Sequence, residues 1–367
     1  MQNIQTNNAV LNPMDRYKFT PEQLAAYEAE FTDYTEESDE PIIKSFKVNV
    51  HGAKNVGKTH FVHSAYELHP ANPTIQNDPL YAHVKFLLEN NMLTPGAWVY
   101  VLDGEGKDTE MNRGDKFKGK PIKVKDIWFP DSNLPTFQNA NEYIKEVVKF
   151  LKMLASKAEG TGAFETSTML TTQIQNFVQY QRRDSKIQKQ VAEKSTDIAP
   201  LPEMAPDDWG WRNSLWEYIG GFIQRLLTHF ILVARIGDDW QGGKPTDSKK
   251  IEQYKRIPGF MNVVVELWRT SEDTEDGGQR FRFWGRITDS DFMEPGLVIP
   301  VMENPSFLKV IAEVTKFSHK DILEKHGFHF PEYELLGRKS AVKDTTEVQA
   351  KKKSGKGKAS KATEVEQ

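Results

Sequence analysis

The segment Gly52-Ala53-Lys54-Asn55-Val56-Gly57-Lys58-Thr59 constrains this chain more than any other. It satisfies the spacing G-x-x-x-x-G-K-[ST], in which glycines let successive backbone N–H groups wrap phosphate oxygens at the start of a helix. In that pattern the lysine neutralises β- and γ-phosphate charge, and the hydroxyl after it holds Mg²⁺. The bare spacing also arises by chance in polar loops, as a turn whose lysine points at water, so its flanks must decide. Before it, Ser45-Phe46-Lys47-Val48-Asn49-Val50-His51 alternates apolar and polar side chains as a strand does. After it, Phe61, Val62, Ala65 and Tyr66 predict a helix running to Leu68, and His69-Pro70 stops it because the residue before proline leaves the helical region. Strand, glycine loop and helix in that order predict a nucleotide-binding segment of Gly52–Thr59 together with His60 at the start of the helix.

The rest of the chain repeats this grammar. Ala97-Trp98-Val99-Tyr100-Val101-Leu102 is a near-continuous apolar run, the mark of a strand buried on both faces, and it ends in Asp103-Gly104-Glu105. A short strand is expected at Ile127-Trp128-Phe129. From Asn139 to Ala155, Tyr143, Ile144, Val147, Val148, Leu151 and Leu154 recur at helical spacing. The polar, proline-containing stretch 181–208 suggests an insertion or long loop, after which Asp207-Asp208 open an amphipathic helix. Phe230-Ile231-Leu232-Val233-Ala234-Arg235-Ile236 predicts another central strand, with a polar loop from Gly237 to Gly259. Asn262 to Trp268 and Arg280 to Ile287, joined through Gly277-Gly278, suit an antiparallel hairpin. Alternating β and α units closed by a hairpin predict a three-layer α/β fold, mainly parallel with an antiparallel C-terminal extension.

Composition narrows the function classes. Zero cysteines exclude disulfides, thiolate zinc sites and cysteine nucleophiles, and they agree with a reducing cytoplasm. No apolar run approaches the ~20 residues needed to span a bilayer, and the polar start lacks a signal-peptide core, so neither membrane insertion nor secretion is expected. The net charge of −4 hides an acidic N-terminal stretch and a tail with Lys351, Lys352, Lys353, Lys356, Lys358 and Lys361. The expected organisation is a mobile acidic arm (1–40), one domain (41–336) and a disordered lysine-rich tail (337–367).

Phosphoryl transfer from a bound nucleotide needs one acid to hold the metal and one to polarise water. Asp103 and Glu105 stand at the carboxyl end of a central strand, where ligands bind in open α/β sheets. Glu165, in Ala163-Phe164-Glu165-Thr166-Ser167-Thr168, is a second candidate, its bland alternative being a loop glutamate.

These residues carry a resemblance. Val101-Leu102-Asp103-Gly104-Glu105 resembles the RecA-like signature of strand, Asp, small residue, Glu, and Phe164-Glu165-Thr166-Ser167-Thr168 resembles a degenerate Walker B segment with Glu165 replacing the usual aspartate. Trp209-Gly210 at a helix opening, Val233-Ala234-Arg235 and the terminal hairpin are similar to RecA-like nucleotide-binding proteins of phages and archaeal viruses, over about residues 42–302. The resemblance implies a RecA-like P-loop NTPase fold, ATP and Mg²⁺ as ligands, a homo-oligomer, Glu105 as the base with Lys58 as the second catalytic residue, and Thr59 with Glu165 or Asp103 at the metal. Thr288-Asp289-Ser290-Asp291 departs from it, since other such proteins carry a cationic turn there.

Three further features have competing readings. Arg235, ending its strand on the nucleotide side, is either a γ-phosphate sensor or an arginine paired to a surface carboxylate. The loop 237–259 mixes Trp240, Lys249, Lys250, Lys255 and Arg256, which suits a single-stranded nucleic acid backbone and its bases but also suits a solvated loop. Trp209, Trp211 and Trp216 are expected as packing residues. The functional expectation is an ATP-binding, ATP-hydrolysing protein acting on single-stranded DNA in recombination, annealing or replication of a virus or mobile element. The alternative is a nucleotide-switched assembly or packaging module that does not recognise DNA.

Overall fold

The computed structural model describes residues 43–104, 117–127, 137–192, 206–241, 244–274, 278–293 and 301–331. The expected arm (1–40) and tail (337–367) lie outside the described residues. Among those described, the strands are β1 (Lys47–Gly52), β2 (Val99–Asp103), β3 (Ile122–Asp126), β4 (Thr161–Glu165), β5 (His229–Gln241), β6 (Lys244–Ile251), β7 (Val263–Asp273), β8 (Gln279–Ser290) and β9 (Met302–Glu303). The helices are α1 (Lys58–His63), α2 (Pro73–Asn77), α3 (Ala82–Glu89), α4 (Phe137–Ala155), α5 (Ser167–Ala192), α6 (Pro206–Gln224), α7 (Phe307–Ser318) and α8 (Lys320–Lys325).

The sheet order is β3-β2-β4-β5-β1-β7-β8-β9, with β6 paired to the outer end of β5. The six strands from β3 to β7 in that order are parallel, and β8, β9 and β6 are antiparallel to their partners. The sheet is thus mainly parallel with an antiparallel C-terminal extension, as expected. Strands β5, β4 and β2 lie to one side of β1 and β7 to the other, so the winding reverses at β1. Ligands bind outside the carboxyl ends of parallel strands at such reversals, because the crossing connections part there and leave a crevice.

Alternation along the strands builds three layers. Val48, Val50, Val99, Val101, Ala163, Ile231, Val233, Val263 and Val265 face one side, under α1, α3 and α7. Leu102, Phe164, Phe230 and Leu232 face the other, under α4, α5 and α6. The helical stripe Tyr143, Val147, Leu151 and Leu154 seats α4 on that second side. Each such aliphatic burial contributes about 1.5–3 kcal/mol, so the sheet is held from both faces.

Several elements differ from expectation. The first helix is α-helical only to His63 and tightens to a 3₁₀ turn over Ser64–Glu67. Ser64 explains the change: its hydroxyl bonds Phe61 O at 2.6 Å and accepts from Phe307 N at 2.9 Å, tying this turn to α7. The third strand is Ile122–Asp126, ending before the apolar triplet expected to form it, and Trp128 and Phe129 lie outside the described residues. The stretch from Gln181, whose polarity suggests a loop, is helical as far as Ala192. The loop expected at 237–259 begins as a hairpin, β5 running on to Gln241 and β6 returning antiparallel, with Gly237 opposite Lys250 and Asp238 opposite Lys249. Trp216 is buried in the core as expected, whereas Trp209 and Trp211 are 41% and 55% exposed.

Candidate functional site

The two glycines of the loop are required for different reasons. A Cβ on Gly52 would lie 2.5 Å from Leu267 O and 2.7 Å from Val56 Cγ2, so this position is closed by the backbone of neighbouring β7. Gly57 has φ +92°, a left-handed conformation that a side chain disfavours, and it turns the loop into α1. Asn55 is also left-handed, at φ 61°, where asparagine is among the tolerated residues. Val56 is buried and anchors the loop, while Ala53, Lys54 and Asn55 are exposed. Half-buried Lys58 reaches back so that Nζ donates to Gly52 O at 2.8 Å and Ala53 O at 2.6 Å. The ammonium thus stands inside the loop, where an incoming phosphate would compete with carbonyl oxygens for it.

Opposite the loop stand two carboxylates. Asp103 and Glu165 end adjacent parallel strands in register with one another, and alternation puts both on the α1 side. Asp103 is fully buried and Glu165 is 5% exposed. Thr59 Oγ1 donates to Glu165 Oε2 at 3.1 Å. A hydroxyl and two buried carboxylates beside a phosphate loop are hard oxygen donors, and Mg²⁺ is commonly held by one or two carboxylates together with substrate phosphates. Thr59, Glu165 and Asp103 therefore fit the ion that the loop implies. Among the described residues no group of three or more His, Cys, Asp or Glu converges as a self-sufficient metal cage.

Gly104 explains the small residue after Asp103. Its N–H bonds Glu165 O, and a Cβ there would lie 2.3 Å from Tyr143 Oη, so the chain leaves β2 pinched between the end of β4 and helix α4. Glu105, the expected base, lies outside the described residues. His60 and His63 both meet Phe117, at ring-centroid distances of 5.5 and 4.8 Å, and burial pushes the fully buried His63 imidazole down to about 4. His63 is thus a neutral packing residue.

Sequence reasoning missed Glu266 and Arg286, which with His51 border the loop from the other side. His51 is in register with Glu266, and Glu266 with Arg286. Arg286 binds Glu266 Oε2 through Nε at 2.7 Å and through Nη2 at 2.6 Å. Burial is the main cause holding the His51 imidazole below its ordinary value; Glu266 opposes that shift, while Arg286 and Lys58 reinforce it. Opposite charges at 266 and 286 were a legible signal once the hairpin register was known, but the register depends on a bulge between Val264 and Val265.

Arg235 is in register with Gly52 at the carboxyl end of β5, and it shares the α1 side with Ile231 and Val233. Beyond it the hairpin carries Trp240 on β5 and Lys249 and Lys250 on β6. Lys255 and Arg256 are exposed but stand past the hairpin, at the turn before residues 257–260, where the Arg256 guanidinium pairs with Glu217 of α6. The site therefore brings together the loop, Thr59, Glu165, Asp103 and Arg235, and it separates Arg256 from the hairpin lysines.

No protein-family model matches the chain, and no curated protein matches it. Among solved structures it is similar to an ATPase from the type III secretion system of pathogenic bacteria, at 10% identity and TM-score 0.28, covering 61% of this chain and 51% of that one. It is also similar to a DnaB-like replicative helicase, at 8% identity and TM-score 0.29, covering 79% of this chain and 66% of that one. The chain thus spans about half of the first and just under two thirds of the second. The fold assignment rests on the strand order and the loop geometry described above.

Proposed function

We propose that this chain binds ATP with Mg²⁺ and hydrolyses it, and that nucleotide binding sets how the β5–β6 hairpin engages single-stranded DNA. The biological setting we infer is recombination, annealing or replication of a virus or mobile element, with the protein working in the cytoplasm as a homo-oligomer. The observation that carries the reading is the 3.1 Å contact of Thr59 Oγ1 with Glu165 Oε2, with Asp103 in register beside it and Lys58 inside the loop. That arrangement supplies phosphate binding, a cation site and buried acids on one side of the sheet.

In hydrolysis a water oxygen forms a bond to the γ-phosphorus, the bond to the bridging oxygen breaks, ADP leaves and the water proton passes to a carboxylate. Backbone N–H groups of residues 53–59 hold the phosphates, Lys58 exchanges its carbonyl partners for phosphate oxygens, and Arg235 senses the γ-phosphate. Thr59 with Glu165 or Asp103 would hold Mg²⁺, which when bound would supply charge neutralisation. Glu105 is assigned as the proton acceptor on the motif that it shares with Asp103 and Gly104. Lys249, Lys250 and Trp240 offer cations and an aromatic ring to the DNA, and Lys255 and Arg256 extend that set beyond the hairpin.

ATP turnover measured with and without single-stranded DNA tests the reading, with oligomer size read in parallel. Turnover that rises with DNA supports it. Turnover indifferent to DNA, together with oligomer size that follows nucleotide state, replaces it with an assembly module. Glu105→Gln keeps shape and hydrogen bonding but cannot take the proton, so ATP binds while turnover falls about 10²-fold, the scale of a general-base contribution. Hydrolysis at the parental rate in that variant removes Glu105 as the base.

A further inference from the structure

Where the β5–β6 hairpin leaves the sheet, a single hydroxyl holds both of its strands. Thr168 Oγ1 donates to Glu252 O at 2.7 Å and accepts from Arg235 N at 3.3 Å. Glu252 N in turn donates to Arg235 O at 2.8 Å, which closes the neck. Arg235 is the last β5 residue paired with β1, and Glu252 is the first residue after β6. Ser167 Oγ adds a bond to Gln253 Oε1 at 3.4 Å. Beyond the neck, among the described residues, β6 pairs with β5 alone, so the neck sets the direction of the hairpin.

Thr168 also stands close to the nucleotide end of β4. Glu165 is that strand's last residue and the acceptor of the Thr59 hydroxyl, and helix α5 begins at Ser167. The two residues between Glu165 and Thr168 are themselves buried, Thr166 at 4% and Ser167 at 0% exposure, which leaves no slack to absorb a displacement of Glu165. Close-packed segments of this kind transmit a shift to the next element because they resist compression.

We propose that Thr168 is a positioning residue that carries the nucleotide state of the Thr59–Glu165 pair to the β5–β6 hairpin. This rests on the ATP-site reading above. When Thr59 and Glu165 exchange their direct bond for contacts with a metal-bound nucleotide, the end of β4 and the first turn of α5 move together. Thr168 then moves Arg235 and Glu252 as one unit. Valine at 168 keeps the branched shape but loses both the donor and the acceptor, whereas serine keeps both.

The chain has no cysteine, so Ser248→Cys in β6 gives one site for a spin or fluorescent label. The labelled protein is compared with Mg²⁺ plus ADP and with Mg²⁺ plus a non-hydrolysable ATP analogue, while affinity for a fluorescent ATP analogue is measured separately. The label signal is expected to differ between the two nucleotides in the parent and in Thr168→Ser, and to lose that difference in Thr168→Val although the analogue still binds. A difference of parental size in Thr168→Val, or a label indifferent to nucleotide in a parent that binds the analogue, overturns the role of Thr168. A parent that binds no analogue overturns the ATP-site reading and this proposal with it.

Discussion

Two lysines at opposite ends of the same strand hold main-chain carbonyls in nearly the same way, and their fates differ. At the amino end of β1, Lys47 Nζ donates to Thr228 O at 2.6 Å, Leu226 O at 2.7 Å and Ser45 Oγ at 2.9 Å. Just past the carboxyl end, Lys58 Nζ donates to Gly52 O and Ala53 O. Lys47 is 3% exposed, sealed against the segment that joins α6 to β5, and burial pushes its ammonium down to about 7. Lys58 is half-buried on a loop whose neighbours are exposed. Carbonyl bonds therefore do not distinguish a structural lysine from a ligand-binding one; access to an exchanging partner does. Lys47 has nowhere to go, whereas on the proposed reading Lys58 would trade carbonyls for phosphate oxygens of full negative charge.

The strongest way to break this contrast is Lys58→Ala. Charged hydrogen bonds contribute about 1.5–3 kcal/mol each, so nucleotide affinity should fall about 10²-fold or more, measured by titration of a fluorescent ATP analogue. Thermal stability should change little, because no sealed group is exposed. Unchanged affinity would make Lys58 as structural as Lys47.

Acid sharpens the contrast at the sealed end. His229 takes a bond from Phe46 N on Nδ1 at 3.0 Å and meets Thr94 O through Nε2 at 2.6 Å, so the buried ring is neutral. Burial is the main cause that pushes it down to about 3, with Lys47 adding to the effect, and His63 is pushed down to about 4. A histidine in the unfolded chain takes up its proton near pH 6.5, before either folded ring does. The unfolded state therefore binds more protons between about 6.5 and those values, and stability falls as pH drops through that window. Each group contributes up to about 1.4 kcal/mol per pH unit, which urea denaturation at pH 7, 6 and 5 would read. A flat profile would mean that these rings are open to water.

The smallest expected effect is Lys47→Met, which removes the buried ammonium but leaves Leu226 O and Thr228 O without their donor. A net loss of about 1–2 kcal/mol is expected, with nucleotide affinity unchanged. The pH dependence gives its signature. With a folded value of about 7 and an unfolded value near 10.4, the unfolded chain holds the extra proton between them. Stability of the parent should thus rise from pH 7 to 9, and that part of the rise should vanish in the variant. A rise of the same size in both would show that Lys47 is not the titrating group.

The candidate site was legible wherever chemistry is local in the chain. Gly52–Thr59 and Asp103-Gly104 could be read directly as motifs, and Glu165 was singled out by the resemblance of Phe164-Glu165-Thr166-Ser167-Thr168 to a Walker B segment although the strand before it is short. Helix α7 was legible and passed over: Ser306 accepts from Lys309 N at 3.3 Å, and Phe307, Val310, Ile311 and Val314 follow at helical spacing. The β5–β6 hairpin was not legible, because its lysines, glycines and Pro245 have the composition of a loop and only pairing with the outer end of β5 makes them a strand.

From local sequence alone came the turn at Gly57, the helix after it, and the side of each strand that its apolar residues face, since these depend on backbone sterics and side-chain period within a few residues. Tertiary structure decided which acid meets Thr59. It also decided that Gly52 is required by Leu267 of a strand more than 200 positions away, and that Lys47 is sealed while Lys58 is not. Those outcomes depend on strand order and on what covers each end of β1, and no property of the residues themselves encodes either without the neighbours that packing brings.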